Sequence, residues 1–165
     1  MKRVTHKELM AMVRRNNGIV LKVCLAFSDR RSGSIKDLYQ DIMQDLCKGY
    51  SSFRGESEES TWVYSVALHR ALHNRRSERR HLRYVELTPE LCDTLAVLAE
   101  ADPLVERLYE LIDLLAPTDK ALILLYLDRC TTQQMAEICG CAEITIKKRI
   151  AKIRDKLIKL NQNEE

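Results

Sequence analysis

The sequence predicts an all-α chain folded as two small helical domains, the second ending in a helix-turn-helix, and three observations carry that expectation. Apolar residues recur at steps of three and four along most of the 165 residues, and no alternating strand pattern stands out. Five glycines and three prolines leave room for long regular helices. Residues 84–102 hold five acids and no lysine or arginine, whereas both flanking blocks mix the two signs. The expected division is an N-terminal domain over residues 1–83, an acidic linker over 84–102 and a C-terminal domain over 103–165.

Taken in order, Leu9, Met12 and Val13 mark one face of a first helix, and Ile19, Val20, Val23, Cys24 and Phe27 continue or restart it past Gly18. The stretch "SDRRSGS" from Ser28 is a turn by composition. In "IKDLYQDIMQDLCKGY", Leu38, Ile42 and Leu46 fall on one face at four-residue steps, leaving Asp37, Gln40, Asp41, Gln44 and Asp45 around the rest of an amphipathic, acidic helix. A polar loop from Arg54 to Ser60 precedes a helix beginning near Thr61, with Trp62, Val66, Leu68 and Leu72 expected in the core. That helix runs into "HNRRSERRHLR", five arginines against one glutamate. Within the linker, Thr88-Pro89-Glu90 has the chemistry of a helix start, threonine suiting the cap and proline the first helical position.

The second domain opens on Leu104, Leu108, Leu111, Ile112 and Leu115, and Pro117-Thr118-Asp119 breaks that helix and caps the next. The remainder divides into two helices around Gly140. The last buries Ile146, Ile150, Ile153 and Leu157, and from Lys147 to Lys159 it carries seven basic residues against Asp155 alone. A short helix, a glycine corner and a basic second helix make the pattern of a helix-turn-helix, whose second helix must fit the major groove while its rear packs on the first. Glu143, Thr145, Lys148, Arg149 and Lys152 are the side chains expected to face DNA, supported by Met135, Ala136 and Ile138. Upstream, Arg75, Arg76, Arg79 and Arg80 sit close in sequence to Trp62 and Tyr64, a combination that grips phosphates and offers surfaces to unstacked bases.

Other chemistries lack their residues. The six cysteines are scattered, and Cys139-Gly140-Cys141 is one residue short of a zinc knuckle, so reduced and mostly buried thiols are expected. His69 and His73 are half a metal site without a third ligand in the sequence nearby. No metal, cofactor or catalysed reaction is expected. No apolar run approaches the roughly 18 residues that cross a bilayer, and the first residues lack the apolar core of a signal peptide, so the expectation is a cytoplasmic protein with no membrane insertion.

Together, "DLYQDIMQDL", "FRGESEESTWVYSVAL", the arginine-rich helix end, the acidic linker and the closing helix-turn-helix resemble the extracytoplasmic-function sigma factors, small two-domain initiation subunits of bacterial RNA polymerase. The resemblance runs from about Gly18 to Leu160 and lies in the order of motifs that are weak singly. It implies that Asp37, Leu38, Gln40, Asp41 and Gln44 dock on core RNA polymerase. It further implies that the loop from Arg54, with Glu56 and Ser57, captures a flipped base of the minus-ten element. Trp62, Tyr64, His69, His73 and the arginines would help open and read that element, and the terminal helix would read promoter DNA at minus thirty-five. An anti-sigma factor is a further implied partner. Ser65, His69 and His73 depart from the residues common in the family, so promoter sequence does not carry over. The alternative is a stand-alone helix-turn-helix regulator, which gives no reason for an acidic helix and loop to precede the arginine cluster.

Overall fold

The computed structural model describes residues 4–28, 34–73 and 102–163, and all regular structure among them is helical. Helix α1 spans His6–Phe27. It starts on a capping box in which Thr5 Oγ1 accepts the Glu8 N–H and Glu8 accepts the Thr5 N–H in return. It runs unbroken through Gly18, because buried Met12 and Val13 before it and Val20, Leu21, Val23 and Cys24 after it outweigh roughly 1 kcal/mol of glycine penalty. Helix α2 spans Ser34–Gly49 and buries Leu38, Ile42 and Leu46 as the spacing predicts. A 3-10 turn, Tyr50–Ser52, leads through the polar loop into α3, Glu59–His73.

Helix α3 starts two residues earlier than expected and presents a different face to the core. Val63, Tyr64, Ala67, Leu68 and Ala71 are buried, whereas Trp62, Val66 and Leu72 are only partly so. Its rotation follows from its start. Arg15 of α1 holds Glu59 through Nε to Oε1 at 3.0 Å and Nη2 to Oε2 at 2.9 Å, and Asn16 Nδ2 adds 2.8 Å to Oε1. The small Ala67 and Ala71 then face inward, where α3 packs on α1 and α2.

The C-terminal helices are α4, Pro103–Asp113, α5, Pro117–Leu127, α6, Thr132–Cys139, and α7, Glu143–Gln162. Asp102 caps α4 by accepting the Leu104 N–H, and prolines open α4 and α5. Leu104 is 78% exposed and no part of the core, since it occupies the first turn ahead of the stripe Leu111, Ile112 and Leu115. Helix α5 buries five consecutive residues, Ala121 to Leu125, as the central post of this half.

Of the cysteines, Cys24 alone among those described is buried, its thiol pushed up to about 12 by that burial. Cys47 and Cys139 are exposed, against the expectation of mostly buried thiols, because each lies on the solvent side of its helix. Cys92, the Thr88-Pro89-Glu90 cap and nearly all of the linker lie outside the described residues.

Candidate nucleic-acid interface

The outer face of α2 carries Asp37 exposed and Gln40, Asp41 and Gln44 half exposed. Burial pushes the Asp41 carboxyl above the usual carboxylate range, Asp45 and Asp37 add to the rise, and Arg70 opposes it. Arg70 is itself committed, with two 2.5 Å bonds to Asp45 that lock α2 to α3. Leu38 is 3% exposed beside Ile42 and Leu46, so it supports this face from beneath and does not contribute to it.

At the loop, residues 54–58 are exposed apart from half-buried Ser57, and Gly55 adopts φ 73°, a backbone that favours glycine. Arg54 and Glu56 stand 4.0 Å apart with about four-fifths of each side chain in solvent, a pair of small energetic consequence. The stem is firmer. Tyr50, Phe53 and Trp62 form an aromatic cluster with ring centroids 5.2 to 6.3 Å apart. Trp62 also lies across Gly49, where an added Cβ would meet the indole at 3.1 Å. Trp62 is therefore a brace with one accessible side, and Tyr50 and Phe53 are partners that apolar periodicity did not single out.

That accessible side borders an open cleft of about 580 Å³ between α2 and α3, lined by Lys48, Trp62, Ser65, His69, Arg70 and His73 among others. The two imidazoles stack at 6.2 Å. His69 Nδ1 lies 2.6 Å from the Ser65 carbonyl oxygen and His73 Nδ1 2.7 Å from that of His69. A carbonyl only accepts, so both Nδ1 atoms carry the proton and both Nε2 atoms are free to face a ligand. No group of three metal-ligating side chains occurs among the described residues. Arg75, Arg76, Arg79 and Arg80 lie outside them.

Tyr64 differs from the expectation of a stacking surface. It is 3% exposed, its hydroxyl donates to Asp128, and burial followed by that carboxylate pushes its phenol far above the usual range. Asp128 also accepts from Lys22 Nζ at 2.5 Å, and so joins α1 and α3 to the end of α5. The same seam holds Lys120, whose ammonium reaches the Ala26 carbonyl at 3.0 Å, a cation at the C-terminal end of a helix with no basic residue in its last turn. Gln134 of α6 completes it with bonds of 3.3 Å to Glu58 and 3.4 Å to Thr61.

In the helix-turn-helix, Thr131 and Gln134 form a capping box for α6. Gly140 closes that helix at φ 65°, with the Cys141 N–H donating to the Ala136 carbonyl. Met135 and Ile138 back the buried Ile146, Ile150 and Ile153, while Ala136 and Leu157 are partly buried. Glu143, Thr145, Lys148 and Lys152 are exposed as expected. Arg149 is half exposed and its Nη2 donates to Asp119 of α5 at 3.0 Å.

Family models match both halves of the chain, Sigma-70 region 2 over residues 12–81 and Sigma-70, region 4 over residues 105–157. The chain belongs to the sigma-70 family, as a sigma factor of extracytoplasmic-function type that acts in transcription initiation through RNA polymerase and promoter DNA. Among solved structures it is similar to CnrH in complex with the cytosolic domain of CnrY, at 16% identity and a TM-score of 0.63, covering 98% of this chain and 92% of that one. It is also similar to the sigma factor RpoE in complex with the anti-sigma factor NepR from Bartonella quintana, at 18% identity and a TM-score of 0.64, covering 96% and 97%. These two likenesses speak to fold. No curated protein matches.

Proposed function

We propose that the chain is a promoter-specificity subunit that divides its work among three surfaces and catalyses no reaction of its own. Asp37, Gln40, Asp41 and Gln44 on α2 dock core RNA polymerase. Arg54, Glu56 and Ser57, with the open side of Trp62 and the His69–His73 cleft, take the unpaired minus-ten strand, and Arg75, Arg76, Arg79 and Arg80 hold the phosphates of the duplex before it opens. Glu143, Thr145, Lys148 and Lys152 face the minus-thirty-five duplex, with Arg149 acting through its tie to Asp119. The corresponding units are residues 1–83 and 103–165 with the acidic segment between them. Activity is cytoplasmic, consistent with the lack, among the described residues, of a helix long and apolar enough to cross a membrane.

The observation that carries this reading is the presence on one chain of two surfaces of different character. A braced, solvent-exposed loop beside an aromatic-walled cleft suits single-stranded bases, and a lysine-faced helix suits a duplex. A stand-alone regulator accounts for the second and leaves the first idle. An anti-sigma partner is part of the proposal because both solved relatives are described bound to another protein chain, NepR being named as an anti-sigma factor. The test is co-purification with core RNA polymerase followed by run-off transcription from genomic fragments. Specific start sites that vanish without the protein are expected, and a chain that neither binds core enzyme nor directs initiation refutes the reading.

A further inference from the structure

We propose that Ile144 reads the C5-methyl group of a thymine in the major groove, a specificity contact that rests on the assignment of α7 to the minus-thirty-five element. The buried stripe of α7 is Ile146, Ile150 and Ile153. With 3.6 residues per turn, the positions opposite that stripe are Ile144, Lys148, Ala151 and Asp155. Ile144 is 61% exposed, the most exposed large apolar side chain of the helix, and it stands in the first turn, from which recognition helices reach base edges.

A lone exposed isoleucine is ordinary on a protein surface. What gives this one meaning is its company. Lys147, Lys148 and Lys152 are exposed around it, so the patch attracts phosphate and suits DNA better than an apolar protein surface. The two arginines of the helix, the side chains best fitted to bidentate guanine contacts, already have partners within the protein. Arg149 donates to Asp119, and the Arg154 guanidinium lies 5.8 Å over the Tyr126 ring. Ile144 is the one large apolar group of the outward row, where Lys148 chiefly attracts charge and Asp155 lies about three turns away. Ala151, two turns further on, is short enough to let the backbone come close to the groove floor. Among base edges in the major groove, only thymine presents a methyl for such a surface.

The test uses holoenzyme reconstituted from core polymerase and the full chain, on a duplex promoter found by run-off transcription. Each thymine of the upstream element is replaced in turn by deoxyuridine, which removes only the methyl. One position is expected to weaken binding about fourfold, the equivalent of roughly 0.8 kcal/mol for one buried carbon group at 1.4 kcal/mol per decade. Ile144→Ala should bind more weakly and no longer distinguish the two bases, whereas Ile144→Val should keep part of the discrimination. The proposal is overturned if no position is methyl-sensitive, if Ile144→Ala remains sensitive, or if the element contains no thymine. Scrambling the whole upstream element separates the two levels: binding indifferent to that change removes the minus-thirty-five assignment itself, and the contact with it.

Discussion

Replacing Asp128 by alanine should loosen the joint between the two halves far more than removing the hydroxyl it accepts from. Asp128 has two partners of unequal weight. Tyr64 is 3% exposed, so deleting its acceptor leaves a buried hydroxyl unpaired, at a cost of roughly 1 to 3 kcal/mol. The Lys22 side chain is 46% exposed, and its pair is screened by solvent, adding about 0 to 1 kcal/mol. The total is about 2 kcal/mol, close to a thirtyfold shift between joined and parted arrangements. Tyr64→Phe removes donor and need together and leaves Asp128 with Lys22, so it should cost less than about 1 kcal/mol. The double variant should resemble Tyr64→Phe. Urea unfolding of the four proteins gives the cycle, and a pair of fluorophores across the seam reports separation directly. Equal effects from Asp128→Ala and Tyr64→Phe would refute the reasoning, because the buried hydroxyl would then not depend on the carboxylate.

Three further outcomes are expected. Gly140→Ala should destabilise the chain by roughly 1 to 2 kcal/mol in urea unfolding, since its φ of 65° places a new Cβ against the following carbonyl. Arg15, with Asn16, holds the Glu59 carboxyl below its usual range, so its contribution is present above the unfolded-state value near 4.5 and is lost as pH falls through the folded one. Melting temperatures of wild type and Glu59→Gln should therefore converge on acidification, and parallel curves would argue against it. Asp41→Lys should abolish association with core polymerase while changing stability by no more than about 0.5 kcal/mol, read by pull-down and thermal melting.

The order of helices was legible because it depends on local spacing. Leu38, Ile42 and Leu46 announce one face of α2, and Gly140 announces the corner of the helix-turn-helix. Leu38 illustrates how two readings of one residue compete: its spacing placed it in the core, while the family resemblance placed it at the docking face, and the structure follows the spacing. Tyr64 and Arg149 were opaque for another reason. Their partners, Asp128 and Asp119, lie 64 and 30 residues away, and no periodicity within a helix encodes which side chain arrives across a seam. Glu59 was hidden likewise, since a polar residue at a loop's end gives no sign that Arg15 and Asn16 will orient a helix through it.

The aromatic cluster of Tyr50, Phe53 and Trp62 separates the loop into a stem that holds shape and a tip that stands in solvent. Rings fixed against α3 bear most of the conformational constraint, and the tip residues Arg54 and Glu56 stand with about four-fifths of each side chain in solvent. Such a division makes the tip interchangeable. Substitutions there leave the fold of the domain standing, so under the proposed assignment of this loop to the minus-ten strand a change of promoter preference needs only a few exposed positions on an unchanged scaffold.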